Sequence, residues 1–278
     1  MLGRIAIHLN NDKACTRRID VGLALAKQHG AEVVGVYPSD GVVGHYYDES
    51  IIPQDARRIV LERREGLRES VRKQFLESAQ AADVNAVWRS PRGEADAALA
   101  LHARYCDLLI MSKAEQVDSV TSIVANLPES VVMAAGRPVL MIPNAGRLES
   151  IGERVLYCWD QRREAARAFT DATPFLKSCK ELTVLEVDRD DRAFKEADLN
   201  DYDFSAFCTA SGYPQPKHLI KKSEGIGVGN VILNTASDMG SDLIVMGAYG
   251  HSRMRQWVMG GASRTLLSSM TVPVLLAH

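Results

Sequence analysis

The sequence predicts an α/β chain of two tandem, open, five-stranded parallel sheets with helices on both faces. Three observations predict it: the length, an internal repeat, and an alternation of strand-like and helix-like segments. The 278 residues suit two domains of about 140, and 46% hydrophobic with 24% charged residues is ordinary globular composition. Asp107-Leu-Leu-Ile-Met111 matches Asp242-Leu-Ile-Val-Met246, and Arg137-Pro-Val-Leu-Met141 matches Val272-Pro-Val-Leu-Leu276, both at an offset of 135. Arg4-Ile-Ala-Ile-His-Leu-Asn10 corresponds to Arg154-Val-Leu-Tyr-Cys-Trp-Asp160 at an offset of 150, and Val33–Val36 to Val184–Val187 at 151. The first copy therefore carries about 16 extra residues in its middle. The expected domains are 1–143 and 151–278, joined by the polar stretch around Pro143–Arg147.

Each copy reads as five strands separated by four helices. In the first, Arg4–Leu9 is an apolar run suited to a buried strand. Asp12–Gln28 is helical, with Ala14, Val21, Leu23, Ala24 and Leu25 as its apolar stripe and Gly30 past its end. Ala31–Val36 is the second strand and Asp55–Ala82 a long charged helix whose Arg and Glu residues form ion pairs one turn apart. Asn85–Arg89, Glu94–Tyr105, Leu108–Met111 and Val139–Ile142 complete the copy as strand, helix, strand and strand. Strands alternating with such helices call for a parallel sheet covered on both faces. The fifth strands, Val139–Ile142 and Val274–Ala277, are expected to pair or pack across a pseudo-two-fold axis, making an intramolecular pseudo-dimer; a homodimer of the chain is a further option. Pro138 and Pro273 sit at strand starts, where a missing donor is tolerated.

Composition excludes several classes. A net charge of −2 lacks the basic footprint of a nucleic-acid binder. No apolar stretch approaches the ~18 residues of a membrane span, and the N-terminus does not read as a signal peptide. Five scattered cysteines without a CxxC fit reduced thiols and a cytoplasmic protein. The histidines form no ligand pair, so no metal site is expected.

The chemistry-bearing segment follows the fourth strand of the second copy: Gly247-Ala-Tyr-Gly250, then Gly260-Gly261-Ala-Ser263, with Ser263–Met270 expected as a helix. Glycines permit close approach of backbone to phosphate, and a helix N-terminus favours an anion. The crevice at the carboxyl ends of parallel strands is where such sheets bind ligands. The alternative is that these glycines only make tight turns and allow helix packing.

These residues resemble the universal stress proteins of the UspA superfamily, whose nucleotide-binding members carry G-x2-G-x9-G-[ST] after the fourth strand. Gly247, Gly250 and Gly260 match that signature; Trp159-Asp160 with Arg163–Ala168, and the ending Val272–Leu276, also resemble the family. The resemblance covers essentially the whole chain, strongly in the second copy and less so in the first. It implies an adenine-nucleotide-hydrolase-like, Rossmann-like fold with ATP or AMP, with or without Mg2+, in the crevice. It implies Asp160 near ribose and base, Val187 against adenine, Met246, Gly247, Tyr249 and Gly250 along the nucleotide, and Gly260, Gly261, Ala262 and Ser263 at the phosphates. The hydroxyl expected after the third glycine is absent, because that position is Gly261; the loss of one neutral hydrogen bond weakens binding by up to roughly tenfold. Asp160 has a second reading, as a helix cap.

The first copy lacks this apparatus. Gly247, Gly250, Gly260, Gly261 and Ser263 become Ser112, Glu115, Ala125, Asn126 and Pro128, and Asp160 becomes Asn10. Glu115 would repel an anion and Pro128 removes a donor. Gly225-Ile-Gly227-Val-Gly229 lacks the strand context of a dinucleotide fingerprint and reads as a turn. His251, Arg253 and Arg255 are further loop residues that could reach a phosphate. No catalytic set assembles from sequence, so the expected role is a non-enzymatic stress-response protein with nucleotide as signal, slow ATP hydrolysis aside. The rival role is an interaction or scaffold protein that binds no nucleotide.

Overall fold

The structure, a computed structural model, describes residues 1–39, 54–113, 127–248 and 261–278. It divides into two compact units, Met1–Val139 and Leu140–His278.

The first unit contains β1 (Arg4–His8), α1 (Cys15–His29), β2 (Glu32–Val36), α2 (Gln54–Ala82), β3 (Ala86–Arg89), α3 (Ala95–Ala103), β4 (Leu108–Ser112) and α4 (Leu127–Ala135); β5 (Val139–Ile142) lies at the division. The strand order is β3-β2-β1-β4-β5, with β1 parallel to both β2 and β4. β1 and β4 are almost wholly buried apolar runs, as strands covered on two faces must be. Since the order reverses at β1, right-handed crossovers put α1 and α2 on one face and α3 and α4 on the other. The contacts agree: α1 packs on α2, and α3 on α4.

α1 starts three residues later than the sequence predicts. Asn10 Oδ1 accepts from the Asp12 amide at 3.2 Å, and this turn delays the helix to Cys15. Its end is as expected: Gly30 caps it at φ 68°. Its buried face is different, because Ala24 is exposed whereas Arg18 is fully buried. On α2, Glu65–Arg68, Glu69–Arg72, Arg58–Glu62 and Lys73–Glu77 pair one turn apart, the solvated face anticipated for it.

The second unit contains β6 (Arg154–Cys158), α5 (Arg163–Asp171), α6 (Thr173–Leu176), β7 (Glu181–Val187), α7 (Asp191–Glu196), α8 (Asp201–Ser211), β8 (Lys217–Lys221), α9 (Val228–Asp238), β9 (Leu243–Gly247), α10 (Gly261–Ser269) and β10 (Val274–Ala277). The order β10-β9-β6-β7-β8 repeats that of the first unit. Two crossovers are split where one helix is expected in each. Pro174 cannot donate to the Thr170 carbonyl, which accepts instead from the Thr173 hydroxyl at 2.6 Å, and α5 breaks there into α6. Between β7 and β8, Asp198 at φ 56° separates α7 from α8. Tyr157, Trp159, Phe169, Phe204, Phe207 and Tyr213 form a continuous aromatic cluster joining β6 and α5 to α8.

The repeat explains a shared aspartate. Asp107 accepts from the Gly3 and Arg4 amides at 2.7 and 3.0 Å. Asp242 accepts from those of Gly152, Glu153 and Arg154 at 3.1, 3.1 and 2.9 Å. In both units a carboxylate before the fourth strand ties down amides leading into the first. All five cysteines are free thiols, four of them buried. No helix among the described residues is long and apolar enough to cross a membrane.

Candidate functional site

The sheet order of the second unit reverses between β6 and β9, so the crevice outside their carboxyl ends is the switch point where open α/β sheets take ligands. Cys158 is in register with Met246 and with Leu185. Asp160, Val187, Met246 and Gly247 therefore stand at the carboxyl ends of three neighbouring strands. Trp159 extends the ladder, donating its amide to the Leu185 carbonyl at 2.9 Å. The chain then turns sharply, with Gln161 at φ 64°. Asp160 is half-exposed, and its Oδ1 accepts from the Arg162 amide at 3.1 Å ahead of α5. That contact closes a turn before the helix and is not its cap, since the N-cap is Arg162, whose side chain makes no capping hydrogen bond; Oδ2 meets Arg162 Nε only at 3.9 Å.

Met246 is buried and Val187 half-buried. Gly247 has a structural reason to be glycine: a Cβ there would lie 2.5 Å from the Ala165 nitrogen and 2.5 Å from the Glu164 carbonyl carbon. The first turn of α5 rests on β9 at this point, and no larger residue fits without a backbone shift. Of the glycine loop, Tyr249, Gly250 and Gly260 lie outside the described residues, as do His251, Arg253 and Arg255. Gly261, Ala262 and Ser263 form the first turn of α10. Ser263 is buried, and a Cβ on Gly261 would meet nothing within 4 Å among the described residues. As α10 leads back to the start of β10, its N-terminus and free amides lie at the carboxyl edge of the sheet. Gly225 and Gly227, at φ 74° and 81°, make the turn that starts α9, as their sequence context suggests.

The matching crevice of the first unit, between β1 and β4, holds a side chain that the sequence reading passed over. Arg18 enters from α1 with no exposed surface. Its Nε donates to the His8 carbonyl at 2.7 Å and Nη2 to Asn10 Oδ1 at 2.5 Å. Nη1 donates to Asp12 Oδ2 at 3.2 Å and to Ser112 Oγ, while Asp12 Oδ1 lies 3.1 Å from Nη2. Burial opposes ionisation of Asp12, but the Arg18 charge and hydrogen bonds outweigh it and hold the carboxyl below its usual range. The His8 imidazole is driven down to about 3, by burial first and by the Arg18 charge second, and its Nδ1 has no hydrogen-bond partner. Asn10 and Ser112 are the counterparts of Asp160 and Gly247, so Arg18 lies where the repeat places the second unit's crevice residues. One signal could have found it. Cys15, Arg18, Ile19, Gly22 and Ala26 form the helical stripe that the structure buries, and Arg18 lies within it.

Among the described residues, Glu186, Asp201 and His218 bring possible metal-ligand atoms within 4.8 Å of one another. Arg189 already spans the two carboxylates, at 3.3 Å from Glu186 and 2.5 Å from Asp201. The trio reads as a charge-compensated tie between β7 and α8.

Two doubly wound parallel α/β units, each with a switch-point crevice, define the class. Residues 152–278 match the model of the Universal stress protein family. The chain is similar over 99% of its length to a universal stress protein structure from Archaeoglobus fulgidus DSM 4304, at 18% identity, 97% coverage of that chain and a TM-score of 0.74. A functionally unknown protein from Pseudomonas aeruginosa PAO1 is also similar, at 14% identity, 99% and 92% coverage and a TM-score of 0.60. A structure from Pseudomonas aeruginosa UCBPP-PA14 described as a universal stress protein gives 14%, 99% and 93%, and 0.62. No curated protein matches the chain significantly. The second unit therefore carries a universal stress protein family domain, and the chain as a whole shares the fold of these structures.

Proposed function

We propose that the second unit binds an adenine nucleotide, ATP or AMP, in the crevice between β6 and β9, as a regulatory ligand of a cytoplasmic stress-response protein. The observation that carries this reading is the register of β6 against β9. It sets Asp160 beside Met246 and Gly247 at a switch point whose sheet edge also receives the first turn of α10. Under it, Asp160 contacts ribose and base, Val187 packs on adenine, and Met246, Gly247, Tyr249 and Gly250 run along the nucleotide. Gly260, Gly261, Ala262 and Ser263 receive the phosphates, and any Mg2+ arrives with them. Room at the Gly261 Cβ position fits a phosphate group approaching that turn. The functional domains are 1–143 and 151–278, paired as a pseudo-dimer within the chain, and the role is binding without fast turnover.

Calorimetric titration of the full chain with ATP and with AMP tests this. Binding of one nucleotide per chain, weakened by Asp160→Ala, is the expected result. No heat at millimolar ATP removes the proposal, and steady-state phosphate release above background removes the non-enzymatic part. A second reading, a scaffold that binds no nucleotide, is favoured by the close packing of α5 on Gly247, which gives that glycine a purpose without a ligand.

A further inference from the structure

We infer that the crevice of the first unit is a guanidinium-binding site whose ligand is Arg18 of the same chain. A guanidinium offers five N–H donors and no acceptor. The crevice turns acceptors toward it: the His8 carbonyl, Asn10 Oδ1, Ser112 Oγ and both oxygens of Asp12, with the Cys15 thiol also in contact. One carboxylate balances one guanidinium, and the fork geometry of Arg is matched at all three nitrogens. The side chain has no exposed surface, so the contact is an internal seat and not a surface ion pair.

The repeat shows what the seat replaces. At an offset of 150 the position of Arg18 becomes Ala168, whose methyl is far too short to reach the strand ends. A charged residue has been brought into the crevice together with Asn10, Asp12 and Ser112 to receive it. This set attracts a planar cation and repels phosphate, the reverse of the chemistry proposed for the second unit. A hollow of about 200 Å3 borders Asn10, Asp12 and Cys15, residues next to the seat. The inference does not rest on nucleotide binding by the second unit.

The test is chemical rescue without nucleotide. Full-length Arg18→Ala is followed by thermal unfolding against methylguanidinium, methylammonium and sodium chlorides at equal millimolar concentrations. The expected result is a saturable rise in the midpoint with methylguanidinium, with apparent affinity about tenfold above that of methylammonium, and no such rise in the wild type. Equal responses to the cations, or the same response in the wild type, overturn the inference. Should Arg18→Ala fail to fold, the wild type decides the matter through its 15N-resolved arginine Nε–H signals, assigned with Arg18→Lys. Arg18 is expected to give a slowly exchanging Nε–H; exchange as fast as that of the exposed arginines overturns the inference.

Discussion

At the carboxyl end of β1 stands Asn10 and at that of β6 Asp160; β4 ends on Ser112 and β9 on Gly247; the helix that follows the first strand contributes Arg18 in one unit and Ala168 in the other. Strand order, the register of the first strand against the fourth and the clamping aspartates are the same. The difference teaches that a ligand crevice can change its chemistry without change of frame. One long cationic side chain, with a carboxylate to pair it and small polar groups at the strand ends, fills in the first unit the place that the proposed function gives to an anion in the second. The residue one turn of the ladder below differs as well: His8 in the first unit, Cys158 in the second. Both are held neutral by burial, Cys158 with its thiol pushed up to about 12.

The largest effect that could break this comparison is acid sensitivity of the first unit. The folded pKa of His8 is depressed to about 3, from an unfolded value of 6.5. Its contribution to stability is fully present above 6.5 and is lost as pH falls toward the folded value, at about 1.4 kcal/mol per pH unit. The Asp12 carboxyl is also depressed, so its contribution is lost only at lower pH, below 3.8. Urea unfolding from about pH 6.5 down to about pH 4 should show this slope in the wild type and a much flatter one in His8→Gln. Equal slopes would mean that the imidazole is not held neutral beside Arg18.

Gly247 comes next. Gly247→Ala should cost about 1–3 kcal/mol, because its methyl must displace the backbone of α5. Chemical denaturation measures this directly. An unchanged midpoint would show that α5 does not rest on β9 at this point, and would return the glycine to a purely ligand-driven explanation. The same packing makes a bulky substitution at Gly247 a poor probe of nucleotide binding, since folding and affinity would fall together.

Asp160→Ala separates two roles of one carboxylate. Losing the turn hydrogen bond to the Arg162 amide should lower stability by about 0.5–1.5 kcal/mol. Losing a ligand hydrogen bond should weaken nucleotide binding about tenfold. A fall in stability with unchanged affinity for ATP would leave Asp160 as a turn former only, without a ligand role.

Much of this architecture was legible in the sequence, because burial on both faces of a parallel sheet leaves apolar runs such as Leu108–Met111 and Leu243–Met246 that no other context explains. The repeat then supplied the order of elements. The divided crossovers were not legible, because the breaks rest on local chemistry at Pro174 and Asp198. Arg18 was not legible for a different reason. A charged residue on a helix is assigned to solvent by default, and only its partners, drawn from β1, the turn after it and β4, reveal the exception. In the second unit the positions of Asp160, Val187, Met246 and Gly247 followed from strand ends, but the packing demand on Gly247 required the approach of α5.

The smallest effect offers the sharpest separation of the two units. Gly261 occupies the position where the family signature has Ser or Thr, in the first turn of α10, and a Cβ there would meet nothing within 4 Å among the described residues. Gly261→Ser should therefore add a hydroxyl at the expected phosphate position without steric cost. Replacing glycine by serine near a helix start also lowers unfolded-state entropy, so stability should hold or rise slightly. One added neutral hydrogen bond is worth about 0.5–1.5 kcal/mol, so affinity for ATP should increase by up to about tenfold. The gain should be smaller or absent for adenosine, which has no phosphate to receive the bond. Equal gains for ATP and adenosine would place the hydroxyl away from the phosphates, and no gain for either would argue that the α10 turn is not part of the ligand crevice.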